Sequence, residues 1–176
     1  RRFGFSGIPA SSETVMVARD IILAAETGKP VHIAHISAAG SVEAVREARK
    51  RGIPVSAEVT PHHLVLTDEA LATRDPDLKM NPPLRSAADV EALIAALADG
   101  TITALATDHA PHTREEKARG LERAPFGIVG LETAVPVILD RIVSRGLISL
   151  VRFAELTSLG PARLLGLANK GRLRIG

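Results

Sequence analysis

The feature that most constrains this chain is a rhythm: short apolar runs alternate with amphipathic stretches of helical period over its 176 residues. Residues 11–26 read as a helix, with Ser11 or Ser12 placed to cap it and Thr27-Gly28 to end it. Val31 to Ser37 is a strand-like run bounded by Pro30 and Gly40. Residues 41–51 form a second predicted helix closed by Gly52, and residues 54–60 a second strand. Residues 67–73 read as a short helix. Lys79 to Pro83 is expected to be extended, because prolines disfavour helix there. A helix over 86–99, ended by Gly100, leads to a third strand over 102–108. A long loop over 109–127 precedes two helices, over 131–145 and 150–165.

Strand and helix in this order imply parallel strands joined by right-handed crossovers. Two α/β folds share the rhythm, an open doubly wound sheet and a (β/α)8 barrel. No glycine-rich phosphate loop follows any strand, which lowers the first. In a barrel the chemistry sits at the C-terminal strand ends, where this chain puts its unusual residues. Three βα units do not close a barrel of eight. The chain opens on Arg1-Arg2-Phe3 without an initiator Met, and residues 170–176 read as the start of another strand and turn. The expectation is one portion, residues 1–176, of a single larger barrel domain.

Composition narrows the chemistry. Hydrophobic residues make up 45% and charged residues 24%, ordinary for a soluble globular domain. With no Cys there are no disulfides and no thiolate ligands, so any metal must sit on His, Asp or Glu; this fits a cytoplasmic protein. The net charge is only +2, and basic residues are scattered without interleaved aromatics, which argues against a nucleic-acid surface. No apolar run is long enough to span a membrane.

All six histidines fall into three clusters at predicted strand ends: His32/His35, His62/His63 and His109/His112. A metal or acid–base site built from strand ends explains this; so do core and loop histidines. Side chains alternate along a strand, so His32 and His35 are expected on opposite faces. His35, nearer the C-terminal end, is the better ligand, and His32 is expected to pack beneath a helix. Neither His62 nor His63 is expected to be a ligand. Asp108 closes an apolar strand, where a carboxylate must be paired to offset its desolvation. A metal would pair it, and a carboxylate beside metal-activated water can move that water's proton; backbone amides of a turn would also satisfy it. Asn81, between Lys79-Met80 and Pro82-Pro83, suits an amide that binds a small polar substrate or an Asx turn. Pro125-Phe126-Gly127 reads as a backbone clamp, its glycine permitting close approach of a ligand, or as a plain turn.

Taken together, five blocks resemble the bacterial class I dihydroorotases in order and spacing. They are His32-Ile33-Ala34-His35-Ile36-Ser37, Ala57-Glu58-Val59-Thr60-Pro61-His62-His63-Leu64, Lys79-Met80-Asn81-Pro82-Pro83-Leu84-Arg85, Ala106-Thr107-Asp108-His109-Ala110-Pro111-His112 and Ala124-Pro125-Phe126-Gly127-Ile128-Val129-Gly130-Leu131-Glu132-Thr133. The resemblance runs over nearly the whole chain, and the Asp108 and Pro125 blocks are the most specific. It implies a (β/α)8 TIM barrel of the metal-dependent hydrolase type, of which only the last three βα units and C-terminal helices are here. It also implies one or two Zn2+ ions per complete site, and reversible hydrolysis of L-dihydroorotate to N-carbamoyl-L-aspartate in pyrimidine synthesis.

On that pattern His35 and Asp108 are metal ligands and Asp108 is also the catalytic acid/base. Asn81, His112 and the main chain at Phe126 and Gly127 hold the substrate. The implied partners are the small-molecule substrate and either a second copy of the chain or aspartate carbamoyltransferase. The family's His-x-His pair, its bridging carboxylate, a further His, and a substrate-binding Arg and Asn have no counterpart among these residues. The isolated chain is therefore expected to be inactive. Two neighbouring readings are an allantoinase- or dihydropyrimidinase-type enzyme and a non-catalytic dihydroorotase-like scaffold.

Overall fold

The computed structural model describes residues 3–175; Arg1, Arg2 and Gly176 lie outside the described residues. Helix α1 (Ala10–Thr27) leads into strand β1 (Val31–Ile33), then α2 (Ala39–Lys50) and β2 (Val55–Val59). A short α3 (Pro61–Val65) and two 3-10 turns (Asp68–Thr73 and Pro76–Leu78) precede α4 (Ala87–Asp99) and β3 (Ala104–Leu105). The long loop holds one further short helix, α5 (Arg114–Lys117). The two expected closing helices are each relaxed by a π turn: α6 (Ala134–Ile138) continues into Leu139–Val143, and α7 (Leu150–Ala154) runs through Glu155–Leu159 into α8 (Gly160–Leu164).

The expected order of elements is present, with shorter strands. They form one parallel sheet in the order β1-β2-β3, with Val31 opposite Val55, Ile33 opposite Ala57, and Glu58 opposite Ala104. Residues 171–175, expected to begin a further strand, are not in one.

The sheet has two unlike faces. Val55, Ala57 and Val59 alternate inward along β2 and are buried. They share a core with Val17 and Ile21 of α1, Val42 and Val45 of α2, and Leu93 and Leu97 of α4. Each such aliphatic side chain contributes about 1.5–3 kcal/mol by leaving water. The other β2 residues, Ser56 and Glu58, are only half-buried. His32 lies beside Ser56 in register. Helices thus cover one face, and the other carries the polar side chains.

Local chemistry explains the helix ends. Ser86 caps α4 in a reciprocal capping box with Asp89, and Gly100 ends it in the left-handed conformation. Helix α1 starts differently from expectation. Pro9 is its N-cap, and Ser12 Oγ donates back to the Pro9 carbonyl at 2.7 Å rather than capping the helix. Its other end is as expected, with Gly28 left-handed and its N–H on Ala24. Glu13 reaches out of α1 to accept from the Ser37 and Ala38 amides, both at 3.0 Å, so it closes the start of α2. Buried Arg85 completes this joint through Ser37 Oγ, the Ile8 carbonyl and Glu13.

Candidate metal centre and active site

The polar sheet face ends at His35, Glu58 and Asp108. His35 lies two residues past β1, and Asp108 three residues past β3. Both hold the left-handed backbone, at φ 51° and φ 47°. Such backbone is uncommon outside glycine and turns both side chains to one place. His35 Nε2 stands 3.5 Å from Asp108 Oδ1, and its Nδ1 stands 2.9 Å from Glu58 Oε1. That second contact is close enough for ion pairing but off the line of a ring N–H, so the buried Nδ1 has no well-aligned hydrogen-bond partner. Glu58 acts as the hub: its Oε2 accepts from His32 Nε2 at 3.2 Å, and His32 Nδ1 meets Ser56 Oγ at 2.8 Å.

The electrostatics follow. Glu58 is pulled down to about 2, first by His32 and then by His35, against its own burial. His35 is raised, first by Glu58 and then by the Asp108 charge, with burial opposing.

His32 corrects the expectation from strand alternation. It is exposed on the polar face and paired to Ser56 and Glu58, not packed beneath a helix. The strand stops at Ile33, so the period-two rule does not carry through to His35, whose positive φ brings both imidazoles onto one carboxylate.

His63 and His109 have structural partners. His63 donates Nε2–H to the Pro82 carbonyl at 2.9 Å, and its Nδ1 meets Thr60 Oγ1 at 2.6 Å. His109 Nδ1 accepts from the Gly130 and Leu131 amides at 3.1 and 3.2 Å. His62 is 6% exposed, its buried Nε2 unpartnered, and desolvation pushes it down to about 3, helped by His63 and His35.

Of the remaining candidates, His112 and Gly127 line a cleft of about 460 Å³ and Phe126 lines a second one. His112 donates Nε2–H to the Phe126 carbonyl at 2.9 Å, and Asn81 is exposed at the end of its extended segment. Gly127 is needed for a different approach from the one expected. Its φ is +146°, and a Cβ there would stand 2.5 Å from the Ala110 carbonyl oxygen and 2.9 Å from the His112 ring. Its N–H already donates to the Lys79 carbonyl at 2.9 Å. The glycine thus admits the protein's own main chain. Sequence reading missed Glu58 as the hub and Lys117, whose buried ammonium meets the Gly127 carbonyl at 2.6 Å.

His35 and Asp108 suit a metal such as zinc, for which neutral imidazole and carboxylate are ordinary donors, and His35 turns Nε2 toward Asp108 while its Nδ1 faces Glu58. They are two donors only. Among the described residues, no group of three or more His, Asp or Glu is arranged to hold a metal ion. No described helix is long and apolar enough to cross a membrane.

The chain is 57% identical over 173 residues to a dihydroorotase of Pelotomaculum thermopropionicum, covering 98% of this chain and 40% of that protein. It is 53% identical over 176 residues to a dihydroorotase of Geobacillus thermodenitrificans, covering 100% of this chain and 41% of that one. The chain therefore spans about two-fifths of the length of the curated relatives it matches. Its fold superposes on the dihydropyrimidinase of Brevibacillus agri with TM-score 0.89 at 30% identity, covering 96% of this chain and 38% of that one. The L-hydantoinase (dihydropyrimidinase) of Arthrobacter aurescens gives TM-score 0.90 at 33% identity with the same coverage. These likenesses place the three-stranded parallel sheet in the TIM-barrel metallohydrolase fold, whose members are generally metal-dependent. The sequence profile of the Amidohydrolase family matches residues 9–176, and the chain belongs to that family.

Proposed function

We propose that this chain is the part of a dihydroorotase barrel that supplies its last three strands, and that the whole protein reversibly hydrolyses L-dihydroorotate to N-carbamoyl-L-aspartate. The observation that carries the reading is the convergence of His35 and Asp108 at 3.5 Å on the polar sheet face. Its substrate assignment rests on identities of 51–57% to dihydroorotases, against 28–33% to the hydantoinase-type structures.

His35 and Asp108 would hold zinc together with donors from the rest of the barrel. When bound, the ion makes water nucleophilic at neutral pH by lowering its pKa to about 7. Asp108 takes the proton as water adds to the ring carbonyl, and returns it to the amide nitrogen as the C–N bond breaks. Asn81 and the Phe126–Gly127 segment orient the ring. His112 spends Nε2–H on Phe126 and its Nδ1 stands 3.5 Å from Glu116 Oε2, so its share in substrate binding is to hold the Phe126 segment in place. With two ligands of its own, the isolated chain is inactive. A non-catalytic scaffold would have no use for two left-handed ligands aimed at each other. Cytoplasmic residence, and assembly with a second copy or with aspartate carbamoyltransferase, belong to the same proposal.

The test is a chimera in which this chain replaces the matching 40% of the Pelotomaculum thermopropionicum dihydroorotase. Turnover of dihydroorotate well above that of dihydrouracil or hydantoin supports the reading. The reverse preference favours the dihydropyrimidinase-type alternative, and turnover by the isolated chain overturns the incomplete-site account.

A further inference from the structure

Lys117 is buried, an unusual state for a lysine. Its Nζ lies 2.6 Å from the Gly127 carbonyl oxygen, 3.1 Å from Pro76, 3.2 Å from Pro125 and 3.5 Å from Lys79. An ammonium has three N–H donors, so four carbonyls from two separate loops saturate it. Those carbonyl dipoles converge, and without a cation among them they would repel one another and lose their donors. Burial lowers the ammonium's pKa, Asp77 and Asp75 oppose this, and Lys79 adds to it.

The segments joined here are those that carry the proposed substrate contacts. Lys79 is two residues before Asn81, and Pro125 and Gly127 flank Phe126. Lys117 ends α5, whose N-cap Thr113 directly follows His112. Secondary ties run the same way: Gly127 N–H to Lys79 O at 2.9 Å, Ala110 N–H to Ile128 O at 3.0 Å, and Lys79 Nζ to Glu122 O at 2.9 Å.

We propose that Lys117 is a positioning residue for substrate binding, a buried cation that fixes the Asn81, His112 and Phe126–Gly127 segments in one arrangement. Its Nζ is spent on main-chain carbonyls and on neither His35 nor Asp108. The inference rests on the dihydroorotase reading for its consequence, but not for the tie itself.

Two measurements test it with K117M, which keeps the length of the side chain and removes the charge and donors. In the 176-residue chain, amide exchange at Gly127 and Ala110 is expected to quicken about ten-fold, with Val45 and Ala96 in the core unchanged. In the chimera, KM for dihydroorotate is expected to rise about ten-fold with kcat and bound zinc within about two-fold, since misplaced binding groups cost affinity first. K117R, which restores charge and donors, should recover most of the KM. Unchanged exchange or unchanged KM overturns the proposal. So does a joint loss of kcat, zinc and core protection, including failure to fold, which makes Lys117 a stability residue only. If the unsubstituted chimera does not turn over dihydroorotate, the functional reading fails, while the exchange comparison still decides the tie.

Discussion

His35 Nε2 stands 3.5 Å from Asp108 Oδ1, and both residues occupy the left-handed backbone region at the ends of β1 and β3. Non-glycine residues in that region cost on the order of 1–3 kcal/mol each and persist where the surroundings over-determine them. Here both candidate ligands carry that strain, which ties the backbone geometry to the site.

Glu58 is the first of the two carboxylates that raise His35, so E58Q should bring the His35 pKa down toward its ordinary value. A raised imidazole contributes stability below the unfolded pKa and loses it as pH rises through the folded one. That contribution should shrink in E58Q. An NMR titration of the His35 ring in the metal-free chain checks this; an unchanged midpoint would remove Glu58 as the hub.

His62 works in the opposite direction. Its folded pKa is about 3 against an ordinary 6.5, so between those values the unfolded chain binds a proton that the folded chain refuses. Stability is therefore lost as pH falls below 6.5, at up to about 1.4 kcal/mol per pH unit. H62F should lose less stability than the parent chain between pH 7 and pH 5 in urea unfolding. An identical pH dependence would show that His62 is not buried in its neutral form.

Glu13 joins α1, the start of α2 and Arg85. Burial alone would raise its pKa, but hydrogen bonds from the Ser37 side chain and from the Ser37 and Ala38 amides outweigh it and hold it low. E13A leaves Arg85 buried without its carboxylate and should cost about 3 kcal/mol, or about 6–12 °C in Tm. E13Q, which keeps an acceptor, should cost less. Thermal unfolding of the two variants settles the order.

G127A should destabilise the loop by about 2 kcal/mol or more, because the position combines positive φ with close packing on Ala110. Faster amide exchange at Ala110 and a shifted His112 ring resonance are the expected signs.

Much of this was legible in the sequence. The βα order and the Gly28 and Gly100 stops follow from local rules, and the apolar run that Asp108 closes holds β3. His32 was misplaced because alternation assumes an unbroken strand, and β1 stops after Ile33. Ser11 and Ser12 looked like caps, but Pro9 is the N-cap and Glu13 shapes that corner through contacts far along the chain. Glu58 was unreadable for the same reason, with partners more than twenty residues away, and an ordinary Glu-Lys pair gives no sign that Lys117 is buried among the carbonyls of two loops. The π turns after α6 and within the last helix carry no local composition signal.

The most direct measurement is dihydroorotate turnover and zinc content in the chimera that carries this chain, compared with its H35N and D108N variants. The unsubstituted chimera is expected to bind zinc and turn over dihydroorotate. H35N should lose zinc, and D108N should lose on the order of 10³-fold in kcat, the scale of a positioned acid/base. Zinc binding and turnover that survive both substitutions would contradict the claim that His35 and Asp108 are this chain's share of the active site.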